Sequence, residues 1–309
     1  MFLVILLYAL FGSLFVISKG TLKFAGPFFF IGSRMMFAGV LLLAYQAIVA
    51  RKSLVINIKQ LGYMALLGVV NIYLTNIFEI WGLQHMVSAK ACLIYSLSPF
   101  LSAIIAFFAL KETLSVKKWV GLFVGLLGSV PIFTAQTMLP GHFSGAYYGA
   151  PELALLVAVA CSVCGWILLK KIVNDLKCTP VLANGVSMFV GGGMALIHSY
   201  VSGEYWTPVP VTSPSNFIQY SLAMCLISNI ICYNLYGHLL RFYSATFMSF
   251  AGLITPVFAS LFGWYFLEEP VSWNYLISII IFSIGLFIFY QEEIKDNYSA
   301  RNHQYLSET

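Results

Sequence analysis

The sequence predicts an all-α, polytopic membrane protein with ten transmembrane helices in two inverted five-helix repeats. Composition is the first reason: of 309 residues, 60% are hydrophobic and 9% charged, against roughly 25% charged in an ordinary soluble domain. The second is that ten apolar segments are each long enough to cross a bilayer, which takes about 20 helical residues. The third is a duplication. Residues 83–133 and 240–290 share Pro99 and Pro256, then Glu112 and Glu269, then Gly128 and Gly285, all at a constant offset of 157.

A soluble chain of this size cannot hide so much apolar surface, so lipid must be part of its solvent. The apolar segments lie near 2–18, 27–49, 60–83, 88–110, 117–135, 150–172, 180–201, 217–240, 245–267 and 271–290. They are continuous apolar runs without strict alternation, which indicates helices rather than a barrel. The first lacks a basic region before its apolar run, and Lys19 and Lys23 follow it, so it reads as a membrane helix and not a signal peptide. One repeat is expected over 1–135 and the other over 150–290, with a tail at 291–309. The linkers at 136–149 and 202–216 are too short for a nucleotide-binding domain. No glycine-rich phosphate loop is present, so ATP is not a direct energy source.

Basic residues orient the chain. One side receives Arg51, Lys52, Lys59, Lys111, Lys117, Lys118, Lys170, Lys171, Lys177, Arg241, Lys295 and Arg301; the other holds Lys19, Lys23 and Lys90. By the positive-inside rule both termini are cytoplasmic. The net charge of +5 is therefore loop placement for topology and carries no sign of a nucleic-acid partner. Five spans per repeat is odd, so the second copy must be inverted, and equivalent loops should differ in basic charge. The loop after the first proline segment carries Lys111, Lys117 and Lys118, whereas its counterpart carries Glu268 and Glu269 and no basic residue. The early part of each repeat matches at an offset of 153: Gly12 with Gly165, Pro27 with Pro180, Gly32 with Gly185, Gly39 with Gly192.

The chain resembles the drug/metabolite transporter superfamily, in its ten-helix branch with two EamA-type repeats. The likeness is carried by Gly12-Ser13, Arg34, Ser98-Pro99, Leu110-Lys111-Glu112, Trp119-Val120-Gly121 and Gly128, then by Thr255-Pro256, Leu267-Glu268-Glu269 and Gly285. It implies a secondary carrier with alternating access and a central cavity between the repeats, in a bacterial inner membrane. It also implies a small polar substrate such as an amino acid or an amino-acid derivative, S-adenosylmethionine among them, or else amphipathic drugs. Ser187 stands where the second repeat would match Arg34, so a charge there belongs to one copy.

Candidate site residues follow from polarity inside apolar spans. Pro99 and Pro256 each remove a backbone donor and free the carbonyl four residues earlier, at Tyr95 and Gly252. Such carbonyls either bind substrate or mark a kink; Tyr95, Ser96, Ser98 and Thr255 beside them either line the cavity or satisfy the loosened backbone. Glu79, with Asn71, Thr75 and Asn76, makes a polar stripe on the third span. Asn229, Tyr233 and Tyr236 make the matching stripe on the eighth. An ionisable group within a membrane marks a pathway or relay by default, so Glu79 is a candidate for substrate or proton binding, against an interfacial charge. Arg34 lies about 10 Å deep at 1.5 Å per residue. It either pairs with Glu79 or grips a substrate carboxylate in a fork. Glu112 and Glu269 read as interfacial residues fixing turns, or else as gates; Trp81 as a belt tryptophan, or a cation–π face for an ammonium or sulfonium ligand; and Gly121, Gly125 and Gly128 as a close-packing face, within the bundle or between chains.

Other classes fare worse. The histidines at 85, 142, 198, 238 and 303 have no metal-ligand spacing, and no nucleophile and base are paired, so an enzyme, a metal site and a cofactor are not expected. Cys161 and Cys164 form a C-x-x-C without a second ligand pair and read as inert buried thiols. A lipid scramblase or passive channel would share the composition; saturable exchange separates it from a carrier. The partners expected are a small-molecule substrate, the bilayer, and a coupling proton or counter-substrate, with a homodimer left open.

Overall fold

Helix ends are set by local chemistry. Asn57 caps its helix in a full capping box, accepting from the Lys59 backbone N–H while Gln60 accepts from the Asn57 backbone N–H. Thr179 accepts from Leu182 and Ser244 from Phe247 in the same role. Each such cap stabilises a helix by about 1 kcal/mol. Pro27, Pro180 and Pro214 occupy first-turn positions where the missing N–H costs nothing.

These signals start five of the ten helices in a computed structural model, which describes residues 2–21, 24–50, 56–84, 94–95, 97–110, 114–136, 150–207, 209–255, 257–258, 261–262, 265 and 273–308. The first half holds α1 (Phe2–Thr21), α2 (Pro27–Val49), α3 (Ile58–Leu67, Gly68–Leu74 and Thr75–Gln84 in succession), α4 (Ser98–Leu110) and α5 (Val116–Gln136). The second half holds α6 (Ala150–Asn174), α7 (Pro180–Val201), α8 (Pro214–Met224, Cys225–Cys232 and Tyr233–Leu239), α9 (Ala245–Ala251, extended by a 3-10 turn Gly252–Ile254) and α10 (Trp273–Glu308). Among the described residues, five helices are long and apolar enough to cross a membrane: α2, α3, α6, α7 and α8. The only sheet-like pairing described is an isolated bridge, Ala25 with Val211.

Small and polar residues point inward. On α7 the buried set includes Asn184, Gly185, Ser187 and Gly192, while Ile197, Tyr200 and Val201 are exposed. That inversion of the soluble pattern follows from lipid being as apolar as leucine, so helices associate through close backbone approach.

The pseudo-two-fold relation is visible in the glycines. A Cβ on Gly32 would lie 3.0 Å from the Gly192 carbonyl, and one on Gly39 would lie 2.9 Å from the Gly185 carbonyl. Under the offset of 153 these two contacts exchange with each other, as a two-fold axis between α2 and α7 requires. Helices α5 and α10 also pack on one another, as do α4 and α9, and each pair joins equivalent helices. On the α5–α10 seam, Gly285 approaches Gly121 and Gly125 too closely for any Cβ. The glycine face of α5 is thus filled from within the chain.

Two features depart from expectation. Pro99 does not interrupt a helix interior; it stands in the first turn of α4, after a break at Leu97 whose carbonyl accepts from both Phe100 and Leu101. A break placed upstream spares the ladder that an interior proline would cut. In the second copy the equivalent stretch is the 3-10 turn Gly252–Ile254 before Thr255; Pro256 itself lies outside the described residues, as do Ser96, Glu112, Glu268 and Glu269. The second feature is new. Helices α3 and α8 both widen into a π segment, Gly68–Leu74 and Cys225–Cys232, at positions related by the same offset of 157 as the prolines. In each, an N–H reaches back five residues: Thr75 to the Val70 carbonyl and Tyr233 to that of Ser228. π segments recur at functional sites, because they redirect side chains and loosen carbonyls.

Candidate functional site

The π segments set the faces of α3 and α8 that carry the polar stripes. Beyond them, Asn76 and Glu79 extend from α3 and Tyr233 and Tyr236 from α8. Opposite stands Arg34 of α2, 7% exposed, its guanidinium carbon 4.9 Å from the centre of the Phe30 ring. Burying a guanidinium costs several kcal/mol unless opposite charge or dipoles answer it. Here the groups that act on it are Tyr233, Cys225 and Glu79.

Arg34 and Glu79 feel each other's charge, yet they form no ion pair within 4.0 Å among the described residues, where such pairs join Glu292 to Lys117 and Lys295. The direct pairing open to the sequence is therefore not made. Glu79 is half-buried and faces Tyr95, which precedes the break in α4. Asn76 donates to the Ile72 carbonyl of its own π segment at 2.7 Å and meets the hydroxyl of Tyr233. Arg34, Asn76, Glu79, Tyr95 and Tyr233 are thus one coupled group drawn from α2, α3, α8 and the residues before α4. Asn229 is fully buried, with its amide nitrogen 2.7 Å from Met35 Sδ on α2 and its Oδ1 without a protein partner. Arg34 Nε is likewise buried without one. Ser98 and Thr255 flank the breaks of α4 and α9 and are half-buried; among the described residues the coupling around Arg34 does not extend to them or to Pro99.

An aromatic wall closes one side. Trp166 of α6 stacks on Tyr236 with centroids 4.0 Å apart and planes at 28°, and lies 5.1 Å from Tyr233. Tyr8 of α1 donates its hydroxyl to the Met248 carbonyl and interacts with Tyr236. Trp166 and Tyr8 lack the sequence signal that singles out Glu79. A tryptophan in an apolar span is ordinary, and its partners are some 70 residues away in sequence. The neighbour Gly165 shows how closely α6 is held, since a side chain there would occupy the place of Asn71.

Of the remaining candidates, Ser187 is fully buried and donates to the Asn184 carbonyl, so it is a packing residue of α7. Cys161 and Cys164 are half-buried free thiols rather than buried ones. No group of three or more metal-ligating side chains occurs among the described residues.

At the end of the bundle holding the α1–α2 and α7–α8 loops, the two halves are stapled together. Glu204 accepts from the backbone N–H groups of Phe28 and Phe29 at 2.8 and 2.9 Å and from Ser199 at 2.6 Å. A carboxylate at a helix N-terminus answers the helix dipole. A Cβ on Gly26 would lie 2.6 Å from the Glu204 carboxylate, so a side chain there would push that carboxylate aside. Gly26 also donates to the Pro210 carbonyl, and Thr212 to that of Phe24.

The sequence matches the EamA-like transporter family over residues 1–134 and 150–291. The chain belongs to that family. It is accordingly a membrane transporter built of two repeats, and not an enzyme. The chain is 38% identical over 298 residues, covering 96% of this chain and 90% of the relative, to the S-adenosylmethionine/S-adenosylhomocysteine transporter of Chlamydia trachomatis serovar L2. The protein of the same name from Chlamydia muridarum is 37% identical, covering 96% and 93%. The inner membrane transporter YedA of Escherichia coli K12 is 25% identical, covering 91% and 87%. A solved structure at 15% identity superposes with a TM-score of 0.76 over 95% of this EamA-like transporter and 96% of its own chain, which shows the fold.

Proposed function

We propose that this EamA-like transporter carries S-adenosylmethionine across a bacterial inner membrane in exchange for S-adenosylhomocysteine, by alternating access about the α2–α7 axis. The observation that carries the reading is the separation of Arg34 from Glu79. Two opposite charges held at one site, without closing on each other, suit a ligand that brings both signs. The methionyl end of the substrate carries a carboxylate and an amine, and its sulfonium adds a positive charge. Arg34 grips the carboxylate in a fork, and Glu79 with Tyr95 faces the cationic groups. Trp166 and Tyr236 offer ring faces to the sulfonium or the adenine. The unpartnered Arg34 Nε and Asn229 Oδ1 supply a donor and an acceptor, and each left unsatisfied costs about 1–3 kcal/mol. The names of the two chlamydial relatives support the same substrate pair.

The counter-substrate, rather than a proton, resets the carrier in this reading, and both termini are cytoplasmic as the basic residues direct. The Glu204 staple then closes the outward end. The test is counterflow of labelled S-adenosylmethionine into proteoliposomes loaded with S-adenosylhomocysteine, with and without a proton gradient. Saturable exchange that ignores the gradient and is lost in Glu79→Gln is expected. Uptake without internal counter-substrate, or equal uptake of amphipathic cations, overturns the reading.

A further inference from the structure

The side chain that holds the π segment of α8 is Asn234. Its Nδ2 donates to the Ile230 carbonyl at 2.8 Å and to the Asn229 carbonyl at 3.4 Å, the carbonyls a widened turn leaves loose. Its Oδ1 accepts from Asn184 of α7 at 3.0 Å. Asn184 is 1% exposed, and one turn on, Ser187 donates back to its carbonyl. At Ser187 the backbone of α7 abuts the other π segment, for a Cβ on Gly68 would lie 2.6 Å from the Ser187 carbonyl. In α3 two side chains do the same: Thr75 Oγ1 donates to the Val70 carbonyl at 3.0 Å and Asn76 Nδ2 to the Ile72 carbonyl at 2.7 Å. One helix of the second repeat thus touches both π segments, and each segment has a side chain tying its carbonyls.

We infer that Asn234 is a positioning residue, which holds the π segment of α8 open and so keeps Tyr233 and Tyr236 turned toward Arg34 and Trp166. The inference rests on the proposed site and deepens it. A π segment carries one residue more than the α-helix it replaces. If it closes, every following side chain turns by about 100°. Cys232, now fully buried, then takes the angular place of Tyr233, and both tyrosines leave the aromatic wall. The position equivalent to Asn234 in α3 is Ile77, and the amide that ties the α3 segment comes from its neighbour Asn76.

The experiment reads position and function separately. Cys232 of the purified, folded protein is alkylated with N-ethylmaleimide and its modification followed by site-resolved mass spectrometry. S-adenosylmethionine affinity is measured on the same samples. In Asn234→Ala, Cys232 alkylation rises about tenfold and affinity falls about tenfold, the loss expected for one buried hydrogen-bonding side chain. Asn234→Thr, which supplies a hydroxyl as Thr75 does, restores both toward wild type, and Asn184→Ala shifts both in the direction of Asn234→Ala by less. Unchanged alkylation in Asn234→Ala and Asn184→Ala overturns the inference, as does faster alkylation at wild-type affinity. Should wild type bind no S-adenosylmethionine, the substrate reading fails, while the alkylation series still decides whether Asn234 holds the segment.

Discussion

Helices α3 and α8 occupy equivalent places, share a π segment at the same register, and present opposite chemistry. From α3 come Asn76 and Glu79; from α8 come Tyr233 and Tyr236. The shape of each is set by backbone and by small residues packed against α7 and α2, which tolerate little change. The face of each that follows its π segment is free to differ, and it does. Symmetry therefore resides where glycines and carbonyls meet, and the proposed recognition falls to the side chains beyond the π segments.

The largest effect should come from breaking the symmetric part. A Cβ on Gly192 would lie 2.5 Å from the Met36 backbone nitrogen, whereas one on the adjacent Gly193 meets nothing within 4 Å. Gly192→Leu should abolish monodisperse folded protein in detergent, and Gly193→Leu should leave it intact; equal behaviour would remove the α2–α7 seam from the argument. Next come the charges. Arg34→Gln and Glu79→Gln should each lower S-adenosylmethionine uptake by about 100-fold, in line with about 3 kcal/mol for removing the protein's half of a buried charge pair made with the substrate. Tyr236→Phe should cost less than tenfold, and a reversal of that order would put recognition on α8.

A smaller effect is expected at the wall. Trp166→Leu should weaken binding about tenfold, within the 1–3 kcal/mol that stacking on a base contributes. It should do so alike for S-adenosylmethionine and S-adenosylhomocysteine if the adenine is what stacks. A loss confined to S-adenosylmethionine in a binding titration would assign the ring to the sulfonium instead. The smallest change belongs to the exposed pair Lys117–Glu292, 3.3 Å apart. Lys117→Gln should shift stability by under about 1 kcal/mol in a thermal denaturation, without effect on uptake.

Much of this was legible in the chain. The duplicated prolines, the two offsets and the glycines matched at 153 foretell the repeats, and the seam between α2 and α7 uses those same glycines. Glu79 and Arg34 stand out because charge inside an apolar span is rare. The π segments left no trace: Asn71, Thr75 and Glu79, like Asn229 and Tyr233, run at the four-residue step of a regular helix. The rest depends on distance in sequence. Trp166 becomes meaningful only when α8 is laid beside α6, and Glu204 only when its loop reaches the start of α2. The break before Pro99 depends on which backbone bonds the neighbours satisfy, which residue order does not state.

The reciprocal glycine seam has a consequence for ancestry. A single five-helix unit could pair with an inverted copy of itself through the same contacts, since the seam looks alike from both sides. Such a pair of first halves would bring two arginines and two glutamates to the centre, a set built for a different cargo. A single chain that holds both copies is free of that constraint: Ser187 stands at the position equivalent to Arg34 and Tyr236 at that equivalent to Glu79, which leaves its centre lopsided.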